Sequence, residues 1–202
     1  MTYNLANILT LSRIAAIPIL ILLLYIDGRA GAWAAWAVFT AACVTDWLDG
    51  YIARSRSEES DLGRFLDPIA DKLLIAAVLM VLVAQRRIDG WSVGAALIIL
   101  CREILVSGLR EYLAGLRVGL PVSRLAKWKT AIQMVAIGTL IVGDAGPNWL
   151  ATRVLGELGL AIAAALTLVT GYDYLRAGLR HMGGQAKPKP KLKVSKPVRS
   201  TG

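Results

Sequence analysis

The sequence predicts an all-α integral membrane protein with six transmembrane helices. Three observations lead there. The 202 residues are 56% hydrophobic and only 18% charged, with a mean hydropathy of +0.56; soluble domains average about 45–50% apolar and about 25% charged residues. Apolar runs of near-spanning length recur along the chain. The net charge of +9 is concentrated at one end: six basic residues, from Lys187 to Arg199, fall in a stretch without a single carboxylate. Such composition excludes disorder for the body, which needs low hydrophobicity. It equally excludes a soluble nucleic-acid binder, which needs a basic water-facing surface.

A hydrocarbon core of about 30 Å takes roughly 20 helical residues to cross. The first run, residues 8–26, is interrupted by Arg13 and Pro18. It lacks the basic flank of a signal peptide, so it reads as an uncleaved helix. The second and third runs, 30–45 and 73–84, are short for a span. Each is completed by the polar helical turns beside it, 46–54 and 63–72, which therefore lie at one membrane boundary and are joined by 55–62. Runs 91–109, 132–142 (extended back to about 123) and 150–175 complete the set. Trp33, Trp91 and Trp149 fall near span ends, where indole rings favour the membrane interface. Cys43 and Cys101 sit in apolar runs and read as packing residues. His181 closes the last helix, where a cation suits the C-terminal dipole.

Six spans put both termini on one side. The segments grouped with the termini carry Arg54, Arg56, Arg64, Arg110, Arg117, Arg124, Lys127, Lys129 and the tail; the opposite segments carry Arg29, Arg86, Arg87 and Arg153. The positive-inside rule thus assigns both termini to the cytoplasm of an inner-membrane, multi-pass protein, with Arg86 and Arg87 as a local exception. Residues 1–182 form the membrane domain. Residues 183–202, with Pro188, Pro190 and Pro197, form a non-helical basic tail, suited either to an anionic membrane surface or simply to solubility.

The chemistry concentrates in Asp46-x2-Asp49-Gly50-x2-Ala53-Arg54, followed after eight residues by Gly63-x3-Asp67-x3-Asp71. At about 100° per residue, positions 46, 49, 50 and 53 point to roughly 0°, 300°, 40° and 340°, one helix face. Asp67 and Asp71 are i,i+4 neighbours on the next helix. Two antiparallel helices thereby aim four carboxylates at one cavity, facing the cytoplasm. Four carboxylates cannot all stay ionised together without cations, least of all at a membrane boundary. An all-oxygen set suits Mg²⁺ or Mn²⁺, or Ca²⁺, rather than zinc. Two such ions neutralise the set and form a clamp known for displacement at phosphorus. Gly50 and Ala53 leave room beside the carboxylates, and Arg54 offers a phosphate-binding fork. Taken singly, Asp67 also reads as a helix-start residue and Asp49-Gly50 as a turn.

This order of residues resembles the signature of the CDP-alcohol phosphotransferases, and every fixed position is matched. The resemblance implies six transmembrane helices, a cytoplasm-facing di-metal site and a homodimer. It implies that Asp46, Asp49 and Asp67 hold metal, and that Asp71 both helps hold it and acts as base on an acceptor hydroxyl. It further implies transfer of a phosphoalcohol group from a cytidine diphosphate-linked donor, with release of CMP.

Asn7, Thr10 and Arg13 in Asn-Ile-Leu-Thr-Leu-Ser-Arg resemble the N-terminal motif of the members that use CDP-diacylglycerol and glycerol 3-phosphate, where they lie near the nucleotide. Ala6 stands where that motif often has Pro. By themselves, Asn7 and Thr10 also read as helix caps, whereas Arg13, inside an apolar helix, demands a partner. The segments 102–110 and 127–134 resemble the same members, with Ala126 in place of a usual Gly. Arg110, Lys127 and Lys129 are the candidate receptors for the acceptor phosphate, or else ordinary cytoplasmic-side charge. Other acceptors (inositol phosphate, serine or phosphatidylglycerol) share the signature. A cation transporter is the remote alternative, since intramembrane carboxylates also line ion paths.

Overall fold

A computed structural model describes residues 5–56, 61–115, 124–147 and 151–184; the side chains at 5–8, 47–56, 61–65, 67, 124 and 180–184 lie outside that description. So do the tail from 185, Trp149, the His181 side chain and most of the predicted 55–62 connection.

Six helices follow one another: α1 Leu5–Leu24, α2 Arg29–Arg56, α3 Asp61–Ala84, α4 Trp91–Gly115, α5 Arg124–Val142 and α6 Thr152–Gly184, with a 3₁₀ turn at Gly143–Ala145 between the last two. No strand occurs among the described residues. The polar turns at 46–54 and 63–72 are continuous with the apolar parts of α2 and α3. At 1.5 Å per residue these two helices reach about 42 and about 36 Å, more than a hydrocarbon core requires.

Trp91–Gly115, Leu125–Ala145 and Thr152–Leu179 are each long and apolar enough to cross a membrane, and α1 contributes a shorter apolar stretch, Leu9–Leu24. The outward faces suit such a setting. Leu22, Met80, Trp128, Val135 and Tyr172 are all exposed, and an apolar surface this extensive needs lipid or protein to cover it. Cys101 also faces outward, so it is not the packing residue expected; Cys43 is partly buried, with its Sγ 3.6 Å from Met134 Sδ.

Inside, Leu20, Phe39, Leu74, Leu82, Ile99, Ile137, Leu140 and Leu160 form one fully buried core drawn from all six helices. Helix α6 packs along both α5 and α4, and α1 along both α2 and α3. Small residues allow the close approach. A Cβ at Gly156 would lie 2.6 Å from Leu140 Cγ, and one at Gly159 2.9 Å from Ala136 Cβ.

The three connections at one end of the bundle cap the helices around them. The last carbonyls of a helix lack intrahelical partners. Gln85 donates to the carbonyl of Leu24 at the end of α1 (2.6 Å), and Arg87 donates to the carbonyl of Ile141 at the end of α5. Arg153 of α6 reaches back to the Arg86 carbonyl at 3.2 Å and to Asp89 at 3.1 Å. Helix α5 stops at Gly143, whose φ of +49° favours a residue without Cβ. Of the two arginines that broke the charge rule, Arg87 has structural work as a helix cap; at Arg86 only the backbone carbonyl is used. Burial pushes the Arg87 guanidinium below its ordinary range, opposed by Asp144 and Asp27. Arg87→Leu is expected to cost about 1–3 kcal/mol of stability by orphaning the carbonyl. It should appear as a lowered Tm in detergent, with turnover at the far end of the bundle retained.

Candidate active site

Toward the other end, charged side chains converge from five helices. On α1, Arg13 is 1% exposed, and its Nη1 lies 2.8 Å from Oδ1 of Asp46 on α2. A guanidinium inside an apolar bundle needs such a partner. The Asp46 side chain is 44% exposed. Thr10, one turn before Arg13, is fully buried.

Asp71 of α3 sits within the electrostatic field of Asp46, Arg13, Lys72 and Glu103. Carboxylates of α2 and α3 thus lie in one region with Arg13, whose helix α1 packs along both. Asp49 lies one turn beyond Asp46 on α2, and Asp67 one turn before Asp71 on α3, but their side chains are outside the described residues. The same holds for Asn7 on α1, Gly50, Ala53 and Arg54 on α2, and Gly63 on α3. Among the described residues no three metal-ligating side chains cluster. Asp46 and Asp71 are hard oxygen donors that repel each other, so their chemistry fits a divalent cation.

A cavity of about 50 Å³ adjoins Asp71, and Lys72, Glu103, Lys129, Thr130 and Gln133 complete its polar wall. Its cations are held in place. Lys72 Nζ donates to the carbonyl of Pro68, one turn back. Lys129, 2% exposed, donates to Glu103 Oε1. Behind Glu103, Arg102 approaches the same oxygen at 3.4 Å, donates to Thr170 Oγ1 of α6 at 2.9 Å, and lies 5.6 Å from the ring centre of Tyr174. Gly171 makes room for its stem: a Cβ there would meet Arg102 Cγ at 3.1 Å. A chain of polar contacts thus links α6 through α4 to α5 at the cavity.

Of the three basic residues expected at an acceptor phosphate, only Lys129 lines this cavity. Arg110 and Lys127 are exposed on α4 and α5 and do not line it, although Arg110 lies within the electrostatic reach of Lys72. Lys72 was not singled out from the sequence, and Glu103 and Gln133 fell within the resembling segments 102–110 and 127–134 without an assigned role. The available signal was a charged or amide side chain within a spanning run, and Glu103 and Gln133 both satisfy it. A larger cavity of about 310 Å³ lies at the opposite end, beside Arg29, Arg87, Asp144 and Arg153. None of the motif residues reach it, and Arg87 and Arg153 are committed to the cap and ion pairs there.

With this geometry in view, comparison with known proteins is decisive. The CDP-alcohol phosphatidyltransferase family model matches residues 3–169. The chain belongs to that family. Among its relatives is a Rickettsia bellii protein named CDP-diacylglycerol–glycerol-3-phosphate 3-phosphatidyltransferase, 47% identical over 174 residues, covering 86% of this chain and 94% of the relative. A Pseudomonas fluorescens protein of the same name is 41% identical over 192 residues, covering 94% and 97%. A Mycobacterium tuberculosis protein named probable phosphatidylglycerophosphate synthase is 41% identical over 185 residues, covering 90% and 84%. For a CDP-alcohol phosphatidyltransferase, the Asp71 carboxylate beside a cavity walled by Lys72 and Lys129, with the Arg13–Asp46 pair in its electrostatic field, is the feature of interest.

Proposed function

We propose that this chain transfers a phosphatidyl group from CDP-diacylglycerol to glycerol 3-phosphate, giving phosphatidylglycerophosphate and CMP. The single observation that carries this reading is the extent of its likeness to relatives named for that reaction, 38–47% identical over most of both chains. The acyl chains of such a donor remain in lipid while its pyrophosphate reaches the polar end of the bundle.

In this reading Asp46, Asp49, Asp67 and Asp71 hold two divalent cations, Mg²⁺ or Mn²⁺, which supply stabilisation of charge on the pyrophosphate oxygens. Arg13 fixes the Asp46 carboxylate through their ion pair, so one donor oxygen is oriented before substrate arrives. Asn7, Thr10, Arg13 and Arg54 line the donor's nucleotide and phosphates, and Gly50, Ala53 and Gly63 leave the space it occupies. Asp71 accepts the proton of the acceptor hydroxyl. That hydroxyl oxygen forms its new bond to the phosphorus bearing the diacylglycerol, the bond from that phosphorus to the CMP oxygen breaks, and CMP leaves. Lys129 and Lys72 present positive charge to the acceptor phosphate at the cavity, while exposed Lys127 and Arg110 attract it from solution. Glu103 holds Lys129 in place through their ion pair.

The protein is an inner-membrane, multi-pass protein with six spans, in which both termini and the site face the cytoplasm, and the basic tail lies along anionic lipid. It works as a homodimer. The balance of basic residues and the family resemblance support this arrangement.

The test gives purified protein CDP-diacylglycerol, Mg²⁺ or Mn²⁺, and each acceptor in turn, and measures CMP. Release with glycerol 3-phosphate, abolished by EDTA and restored by excess Mg²⁺ or Mn²⁺, is expected. CMP only with inositol phosphate, serine or phosphatidylglycerol would overturn the acceptor, and CMP with none would overturn the enzyme.

A further inference from the structure

We propose that Gln133 is a specificity-determining residue whose side-chain carbonyl accepts a hydrogen bond from the non-reacting hydroxyl of the acceptor. The inference deepens the proposed reaction and rests on it. Gln133 is 2% exposed and lies on the cavity wall shared with Asp71 and Lys129. Its Oε1 is wholly buried and has no hydrogen-bond donor among the described residues. A buried amide oxygen left without a donor costs about 1–3 kcal/mol, and native proteins seldom leave one so unless something else fills the role.

No neighbouring side-chain donor among the described residues reaches that oxygen. Lys72 Nζ donates to Pro68, Lys129 Nζ to Glu103, and the Thr130 hydroxyl to the Ala126 carbonyl at 3.1 Å. What arrives must therefore bring its own donor. An amide oxygen has lone pairs and no proton, so it repels phosphate oxygens and attracts an O–H. The cavity volume of about 50 Å³ suits a few hydroxyl-sized groups, the polyol end of a short acceptor rather than an acyl chain. Lys129 and Gln133 are i,i+4 neighbours on α5, so one helix face offers a cation toward the phosphate and a carbonyl toward the polyol.

Glycerol 3-phosphate has two hydroxyls. The C1 hydroxyl attacks and gives its proton to Asp71, which leaves the C2 hydroxyl for Gln133. The alternative acceptor 3-hydroxypropyl phosphate keeps the phosphate and the attacking hydroxyl but lacks the C2 hydroxyl. Wild-type protein should use it roughly ten- to hundredfold less efficiently than glycerol 3-phosphate in kcat/KM. In Gln133→Met, an unbranched apolar replacement, the two acceptors should become equivalent within about twofold, with the KM for CDP-diacylglycerol unchanged. Should Gln133→Met turn over too slowly to measure, thermal shift of the purified variant by each acceptor replaces kinetics. The larger shift with glycerol 3-phosphate seen in wild type should then disappear. Discrimination that survives in Gln133→Met, by either measure, overturns the proposal; a water at Oε1 would give that result. Failure of the parent reading is separate, since wild type would then release no CMP with either acceptor.

Discussion

Asp71→Asn is expected to lower kcat by about 10²–10⁴-fold, the usual worth of a positioned general base. Asparagine keeps the shape of the side chain and removes the site that takes the proton. Asp71 is also one of the four proposed metal donors, so weaker metal binding would add to the loss. The two contributions separate on raising Mg²⁺ or Mn²⁺: a metal-affinity defect is recovered at high concentration, whereas a missing base is not. The fold should persist, because Asp71 forms none of the ion pairs seen among the described residues; Arg13 pairs with Asp46 and Lys129 with Glu103. Elution and Tm like wild type, with turnover lost at all metal concentrations, is the expected pattern. Wild-type turnover would remove Asp71 from the base role.

Glu103→Leu is expected to have the largest effect on stability. Glu103 accepts from Lys129, which is almost wholly buried, and it lies 3.4 Å from Arg102. Removing one partner of a buried pair leaves an uncompensated charge and costs about 3–5 kcal/mol, although a well-packed apolar replacement of both partners is often neutral. The double variant Glu103→Leu/Lys129→Met should therefore recover most of the Tm that Glu103→Leu loses. It should not recover use of glycerol 3-phosphate, because the cation facing the acceptor is gone. Recovery of stability without recovery of acceptor KM separates packing from binding. Full activity in the double variant would show that neither residue takes part.

Much of the helix order was legible in the sequence, because apolar runs and the polar turns beside them follow simple spacing. The turns at 46–54 and 63–72 read as completions of short runs, and they are continuous with α2 and α3. Arg13 was legible as a residue needing a partner. That Asp46 is the partner depends on how α1 packs against α2, which periodicity does not encode. Lys129 reads from the sequence as a candidate phosphate receptor or ordinary cytoplasmic-side charge, and the fold couples it to Glu103 on the preceding helix α4, a pairing that spacing does not encode. Gln133 carries no formal charge, and its place in the resembling segment 127–134 assigns it no role; its burial beside Asp71 shows an oxygen left to be filled. Arg87, an anomaly under a rule about loop charge, becomes intelligible once the C-terminus of α5 is found beside it.

The central claim is the identity of the reaction, and product analysis tests it most directly. Purified protein incubated with CDP-diacylglycerol, glycerol 3-phosphate and Mg²⁺ should yield phosphatidylglycerophosphate, identified by mass spectrometry, in equal molar amount to CMP. Formation of CMP with phosphatidic acid instead, or no lipid product, would contradict the account.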